Sequence, residues 1–325
     1  YSNHKFEKSN VMQTILGAGG AIGTMLAMEL SGYTENVRLV SRNPEKVNDS
    51  DELLAGDLLD PLFVNQAVEG SQVVYLTVGF PYKYKIWKKN WPLVMNNVMN
   101  ACKKYRSRLV FFDNVYMYDR DYLNHMTEYT PICPTSRKGE VRAEIARELM
   151  EEVKKGYITA LIARAADFIG SVNSIPAETI YKNYAKGKKA QWMGKVDKVH
   201  NFTDVFDAAK ATALLGNTPD AYNQVWHLPT DHTPMTGKQW IELFAEEMVV
   251  EPRYTIITRG MLGTLGVFVP LLRELKEMAY QYDRDYFFDS TKFEMRFDYK
   301  PMTPKESVQS IVHEQTEGKE SYPAA

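Results

Sequence analysis

The stretch Val11-Met-Gln-Thr-Ile-Leu-Gly17-Ala-Gly19-Gly20-Ala-Ile-Gly23, running on into Thr24–Leu30, decides the fold. Val11–Leu16 is a short β-type run that stops at glycines, and Ala21–Leu30 continues with a helical pattern. Each glycine has its own task. Gly17 permits a tight exit from the strand, and Gly23 lets the helix pack closely on the sheet. Gly19 and Gly20 let the backbone approach a pyrophosphate with no Cβ in the way. The helix start, with Ala21 and Ile22 in its first turn, offers free N–H groups and a positive dipole end to phosphates. A glycine pattern alone is also compatible with an ordinary turn. The strand before it, the helix after it and its place at the start of the fold favour dinucleotide binding.

Outward from this turn, strand and helix patterns alternate. Val37–Val40 is a second β run, Leu53–Leu54 a weak third and Pro61–Glu69 a short helix. Gln72–Val78, Arg108–Phe112, Tyr157–Ala163 and Gln224–Leu228 read as later strands. The alternation predicts an α/β fold, a doubly wound parallel sheet covered on both faces, with ligands at the carboxyl edge of the strands. A helix is expected over 90–105, capped by Asn90, with Pro92 in its first turn and Trp91, Val94, Met95, Val98, Met99, Cys102 and Tyr105 in one apolar stripe. Past residue 172, helices at Pro176–Lys186, Thr236–Met248 and Gly260–Tyr280 suggest a smaller lobe. The expected organisation is a Rossmann domain over 11–171 with 200–230 returning to the sheet, a substrate lobe over 172–199 and 231–316, and a tail at 317–325. Fraying is expected from Glu314 onward. The aromatics Trp192, Trp226, Trp240, Tyr280 and Tyr282 read as core rather than as sugar platforms.

The 325 residues carry 39 Lys plus Arg against 41 Asp plus Glu, a formal charge of −2. That balance leaves no broad basic footprint, which argues against nucleic acid as a partner. Cys102 and Cys133 make no disulfide framework, and no metal-ligand spacing exists among His125, His200, His227 and His232. The longest apolar run, Leu262–Leu272, is broken by Pro270 and too short to span a bilayer, and Tyr1–Asn10 is polar. A soluble, cytoplasmic protein without membrane contact is the expectation.

The end of the second strand speaks to the choice of dinucleotide. NAD sites usually place an acid there to bond the ribose 2′-hydroxyl. Here the residues are Val40-Ser41-Arg42-Asn43, and a hydroxyl with a guanidinium suits a 2′-phosphate. NADP is therefore expected, with NAD possible; a solvated surface Arg42 is the alternative. Asp57 and Leu58 are candidates for the adenine edge, Asp57 reading equally as a turn residue, and Thr77, Val78 and Gly79 for the route to the nicotinamide.

With its turn at 17–23, the chain resembles the extended short-chain dehydrogenase/reductase superfamily, in its NAD-dependent epimerase/dehydratase branch, over nearly the whole length. Gly17, Gly20 and Gly23 match the family's GxxGxxG. Arg108–Tyr118 is similar to its fifth strand and following Val-Tyr-Gly, Arg164-Ala-Ala-Asp-Phe-Ile-Gly170 to its Arg-x-x-Asn-x-Tyr-Gly, and His200-Asn-Phe-Thr-Asp204 to the segment leading back to the sheet. The resemblance implies about seven strands, a smaller carboxyl-terminal substrate lobe and a homodimer packed through helices such as 87–105 and 141–153. It also implies an acid/base Tyr in a YxxxK helix, and there the sequence departs. Aligned on Pro134, the Tyr position holds Lys138, the Lys position Arg142 and the Ser position Asn114.

At about 100° per residue, Lys138, Arg142, Ile145 and Leu149 share one helix face, so two cations sit at the head of the inward stripe. A pocket role is expected, because an unpaired inward Arg is costly and a phosphate or ribose would satisfy it. Snorkelling to water, or pairing with Asp113 or Asp167, are the competing readings. Nearby positive charge favours phenolate, which makes Tyr116 the expected acid/base, with Lys138 itself the alternative. Tyr118 matches the family's structural tyrosine. Asn114 is placed to donate its amide to a substrate oxygen. The expected function is an NAD(P)-dependent oxidoreductase or epimerase on a small polar substrate; the alternative is a non-catalytic NAD(P) redox sensor, which the missing YxxxK favours.

Overall fold

The computed structural model describes residues 9–172, 174–265 and 270–316. The amino-terminal half runs β1 (Met12–Leu16), α1 (Ala21–Leu30), β2 (Val37–Ser41), β3 (Glu52–Ala55), α2 (Pro61–Val68), β4 (Ser71–Leu76), α3 (Tyr84–Tyr105), β5 (Arg108–Asp113), α4 (Arg137–Lys154) and β6 (Ala160–Arg164). There follow β7 (Phe168–Ile169), a π-helical turn at Ala177–Tyr181 leading into α5 (Lys182–Ala185), β8 (Ala190–Met193), β9 (Thr203–Asp204), α6 (Val205–Gly216) and β10 (Val225–His227). The chain continues through α7 (Gly237–Glu247), β11 (Tyr254–Ile257), α8 (Arg259–Leu265), α9 (Pro270–Met278), α10 (Thr291–Phe297) and α11 (Pro304–Thr316).

Seven strands form one parallel sheet in the order β10-β6-β5-β4-β1-β2-β3. The order reverses between β1 and β4, and the crevice beyond their carboxyl ends is where such sheets bind ligands. Alternate residues of each strand serve opposite faces. Leu16, Val40, Val74 and Leu76 pack with α2, α3 and α4, whereas Ile15, Leu39, Val73 and Tyr75 pack with α1 and α6. Both faces are dry, which explains the near-continuous apolar runs of β4 and β5. Two further clusters stand outside the sheet, one built on Trp192, Phe202, Trp240 and Phe244, the other on Tyr118, Tyr280, Tyr286 and Phe288. Trp192, Trp226, Trp240, Tyr280 and Tyr282 are all buried in these cores. Among the described residues no helix is long and apolar enough to cross a membrane.

Three expectations need correction. α3 begins at Tyr84, not near Asn90, and Pro92 lies inside it. Burial of Trp87 and an acceptor brought by Glu274 to the Tyr84 N–H carry the helix back past the proline. The apolar stripes of α3 and α4 pack on each other and on the sheet within the chain. Glu314–Thr316 belong to α11, and 317–325 lie outside the described residues. The expected helix 260–280 is divided into α8, α9 and a 3-10 turn at Ala279–Tyr282, with 266–269 outside the described residues.

Candidate functional site

The glycine turn joins β1 to α1 at the sheet's carboxyl edge. Gly17 N–H and Ala18 N–H both donate to Val40 O, at 2.9 and 3.2 Å, folding the turn against β2. Gly17 has φ 111°, and a Cβ there would overlap the Val78 backbone. A Cβ on Gly23 would lie 2.5 Å from Gly17 O. Gly19 and Gly20 differ: a Cβ on Gly20 meets nothing within 4 Å, and one on Gly19 meets only the Ser41 side chain, at 3.8 Å. No side chain caps α1 and its first turn carries no acid, so Ala21, Ile22 and Gly23 present the bare positive end of the helix. Two glycines shape the turn and two leave a cradle open.

The neighbours of the cradle come from β2, β3 and β4. Ser41 Oγ is buried and has no hydrogen-bond partner among the described residues, an arrangement that costs stability until a ligand fills it. Arg42 beside it is exposed. Thr77 N–H donates to Leu16 O at 2.9 Å, Val78 lies against Gly17, and Gly79 is open to solvent. Asp57 Oδ1 accepts from Leu59 N–H at 2.9 Å, a turn bond, while Leu58 is buried.

At the start of α4, Ser136 Oγ accepts from Gly139 N–H at 3.0 Å, and Lys138 and Arg142 point inward with Ile145 and Leu149. Neither cation is free. Arg142 donates to Asp113 Oδ1 from Nε at 2.8 Å and from Nη2 at 2.5 Å, while Arg164 holds Asp113 Oδ2 at 3.1–3.3 Å. The Arg142 guanidinium also lies 4.2 Å from the centre of the Trp91 ring. The expectation of an unpaired Arg142 awaiting a ligand phosphate is thus overturned by a carboxylate at the end of β5. Lys138 Nζ, fully buried, meets Glu274 Oε2 at 2.5 Å and Glu277 Oε2 at 3.0 Å. Burial works against ionised Glu274, but Lys138 and the Tyr84 N–H hold its carboxyl below the usual range.

Tyr116 stacks on Trp87, ring centres 6.2 Å apart. Burial, reinforced by the Asp167 carboxylate, pushes its phenol well above the ordinary tyrosine range, and Arg142 offsets little of this. The expected cation-stabilised phenolate is therefore corrected: Tyr116 is a neutral hydroxyl at neutral pH. Asn114 Oδ1 accepts from Tyr116 N–H at 3.1 Å, which fixes the turn carrying the phenol. Tyr118 accepts from Arg164 at 3.0 Å and donates to His227 Nε2 at 2.6 Å, and burial pushes His227 down to about 3.

One pair escaped the sequence reading. Asp167 Oδ2 accepts from Tyr282 OH at 3.0 Å and from His200 Nε2 at 3.1 Å. The His200 ring is sandwiched between Tyr282 and Tyr286, each centre 4.2 Å away. Asp167 Oδ1 takes no hydrogen bond among the described residues, and its charge helps raise the phenols of Tyr82, Tyr116, Tyr280, Tyr282 and Tyr286. The signal lay in Arg164-Ala-Ala-Asp167, an acid just past a buried strand, but nothing local announces a histidine 33 positions later as its partner.

Residues 17–131 match a family model described as NAD(P)H-binding. No curated protein matches the sequence. Among solved structures, the chain is similar to the UDP-glucuronic acid 4-epimerase of Bacillus cereus in complex with NAD, with TM-score 0.76 and 14% identity over 94% of this chain and 99% of that one. It is equally similar to the dTDP-glucose 4,6-dehydratase of Bacillus anthracis in complex with NAD, with TM-score 0.77 and 15% identity over 96% and 98%. The epimerase Mth375 of Methanothermobacter thermautotrophicus gives 0.76 and 13% over 96% and 94%. With its glycine turn inside an NAD(P)H-binding segment, the chain carries the fold of these epimerases and dehydratases.

Proposed function

We propose that the protein is an NADP(H)-dependent oxidoreductase or epimerase that acts on a small polar, sugar-like substrate with an acid/base set other than YxxxK. The observation that carries this reading is the cradle at Gly19 and Gly20, open to an added Cβ, with the orphaned Ser41 hydroxyl at its rim. The backbone N–H groups of Ala21 and Ile22 at the uncapped start of α1 would hold the pyrophosphate, and Ser41 with Arg42 would favour a 2′-phosphate over a bare ribose. The bound nicotinamide supplies or accepts hydride.

The remaining work falls to this chain's own side chains. Tyr116, kept protonated by burial, donates its hydroxyl hydrogen to a substrate oxygen. Asp167 accepts a proton at Oδ1 while His200 and Tyr282 hold Oδ2. Arg142 and Arg164 grip the two oxygens of Asp113, just ahead of the Asn114–Tyr116 turn, rather than touching substrate. The sugar-like substrate class rests on the neighbouring structures, whose names are those of sugar-nucleotide epimerases and dehydratases.

The test is NADPH consumption over a panel of polar carbonyl compounds. Turnover that falls about a hundredfold in both Tyr116→Phe and Asp167→Asn, with calorimetric NADPH binding retained, is the expected result. The sealed ammonium of Lys138 favours a second reading, a dinucleotide-binding regulator without turnover. Tight NADPH binding with no consumption across the panel, and no epimerisation of sugar nucleotides in the presence of the oxidised coenzyme, selects it.

A further inference from the structure

Glu274 and Glu277 do more than neutralise a lysine. Glu274 Oε2 also accepts the Tyr84 N–H of α3 at 3.1 Å, and Glu277 Oε1 accepts the Arg137 N–H of α4. Each carboxylate therefore bridges the Lys138 ammonium and the first N–H of a helix to which it does not belong. Without them, the Lys138 ammonium and the first N–H groups of α3 and α4 would lose the acceptors they share, and Arg137 would add a further positive charge at the rim. A buried ammonium is stable when paired or reached by water, so in a water-excluded site an anion is the ligand that fits the place α9 now fills.

A second feature points the same way. Trp87 and Trp91 are only 6% and 3% exposed, and their indole N–H groups have no acceptor among the described residues. An indole nitrogen donates and never accepts. Trp87 stands edge-on to Tyr82 at 5.6 Å, and Lys138 Nζ sits 4.5 Å from the centre of that same Tyr82 ring. Among the described residues Lys138 Nζ thus finds its hydrogen-bond acceptors only on α9, and the unpaired Trp87 indole packs on the same Tyr82 ring.

We propose that Lys138, with the N–H groups of Tyr84 and Arg137, is a binding site for a substrate carboxylate, which α9 fills with the chain's own carboxylates. The class proposed is a carboxylate, the group that at two places bridges the ammonium and a backbone N–H. This rests on the functional reading above and narrows it: the small polar substrate carries an acid group. The exchange conserves charge, one carboxylate leaving the ammonium as another arrives, and it ties substrate entry to movement of α9.

The experiment uses the full chain without nicotinamide coenzyme and malonate as the probe, with neutral malonamide as the control. In the Glu274→Gln, Glu277→Gln double variant, malonate should bind about tenfold more tightly than to the parent protein, because the tethered competitors are gone. Adding Lys138→Met should abolish that binding, malonamide should not bind, and malonate should move the Trp87 and Trp91 indole N–H resonances. Equal malonate affinity in parent and double variant, or binding that survives Lys138→Met, overturns the proposal. Should the double variant not fold, amide exchange in the parent protein decides: faster exchange over 274–278 with malonate supports it, and unchanged exchange overturns it. Because no coenzyme is present, failure here leaves dinucleotide binding standing, and a failure of dinucleotide binding leaves this site standing.

Discussion

The glycine turn and the start of α4 invite the same kind of inference and meet opposite fates. At Gly19 and Gly20 an expected vacancy is a vacancy: added Cβ atoms find open space or only the edge of Ser41. At Lys138 and Arg142 an expected vacancy is filled by Asp113 from β5 and by Glu274 and Glu277 from α9. A glycine's role is fixed by the backbone within a few residues of it, in strand, turn and helix. A buried charge is satisfied by whichever opposite charge the fold brings near, at any separation along the chain. Periodicity placed both cations inward and left Asp113 as one candidate partner among several; it could not choose among them and gave no sign of Glu274 or Glu277.

The contrast is open to attack at several points. The largest effect is expected at the closed region: Asp113→Ala leaves two buried guanidinium groups without their carboxylate and should cost about 4 kcal/mol in urea unfolding. A neutral result would mean that Arg142 has another partner and that the region is open after all. In the turn, Gly17→Ala should cost about 3 kcal/mol, since the positive φ and the Val78 backbone both reject a side chain. Gly20→Leu should cost only about 1 kcal/mol, the ordinary loss at a helix cap, yet abolish the calorimetric signal of NADPH. If both substitutions damage stability alike, the division between shaping and ligand-facing glycines is wrong.

Acid separates the two regions further. His227 is held neutral by burial, with a folded pKa of about 3 against 6.5 for the free side chain. The unfolded chain therefore binds more protons below pH 6.5, and stability should fall as pH drops from there toward 3, by about 2 kcal/mol between pH 7 and pH 5. His227→Gln should flatten that part of the profile. The glycine turn has no such group, so its coenzyme affinity should follow this slope only through the folded fraction. The smallest effect expected is at the rim of the cradle: Arg42→Ala should weaken NADPH about tenfold and NADH hardly at all. Equal losses for both coenzymes would remove the 2′-phosphate assignment while leaving the cradle intact.

Much of the fold was legible because it is written in short range. Val37–Val40 and Arg108–Phe112 were placed to within a residue of β2 and β5, and Ala21–Leu30 coincides with α1. Pro92 misled, because a local rule puts proline in a first turn while α3 gains the burial of Trp87 and an N-terminal acceptor from Glu274 by starting earlier. Tyr116 misled for a related reason. The cations that were to lower its pKa are neutralised by their own partners, and burial beside Asp167 governs the phenol instead.

By itself, the sequence determined the parallel α/β sheet, the turn at 17–23 and the inward face of α4, since each follows from spacing over a handful of residues and from the volume of a missing Cβ. Only the tertiary structure decided that Arg142 belongs to Asp113, that Lys138 is closed by α9, and that Asp167 is paired with His200. Those outcomes depend on electrostatic partners 29, 136, 139 and 33 residues apart, brought together by folding and by no local rule.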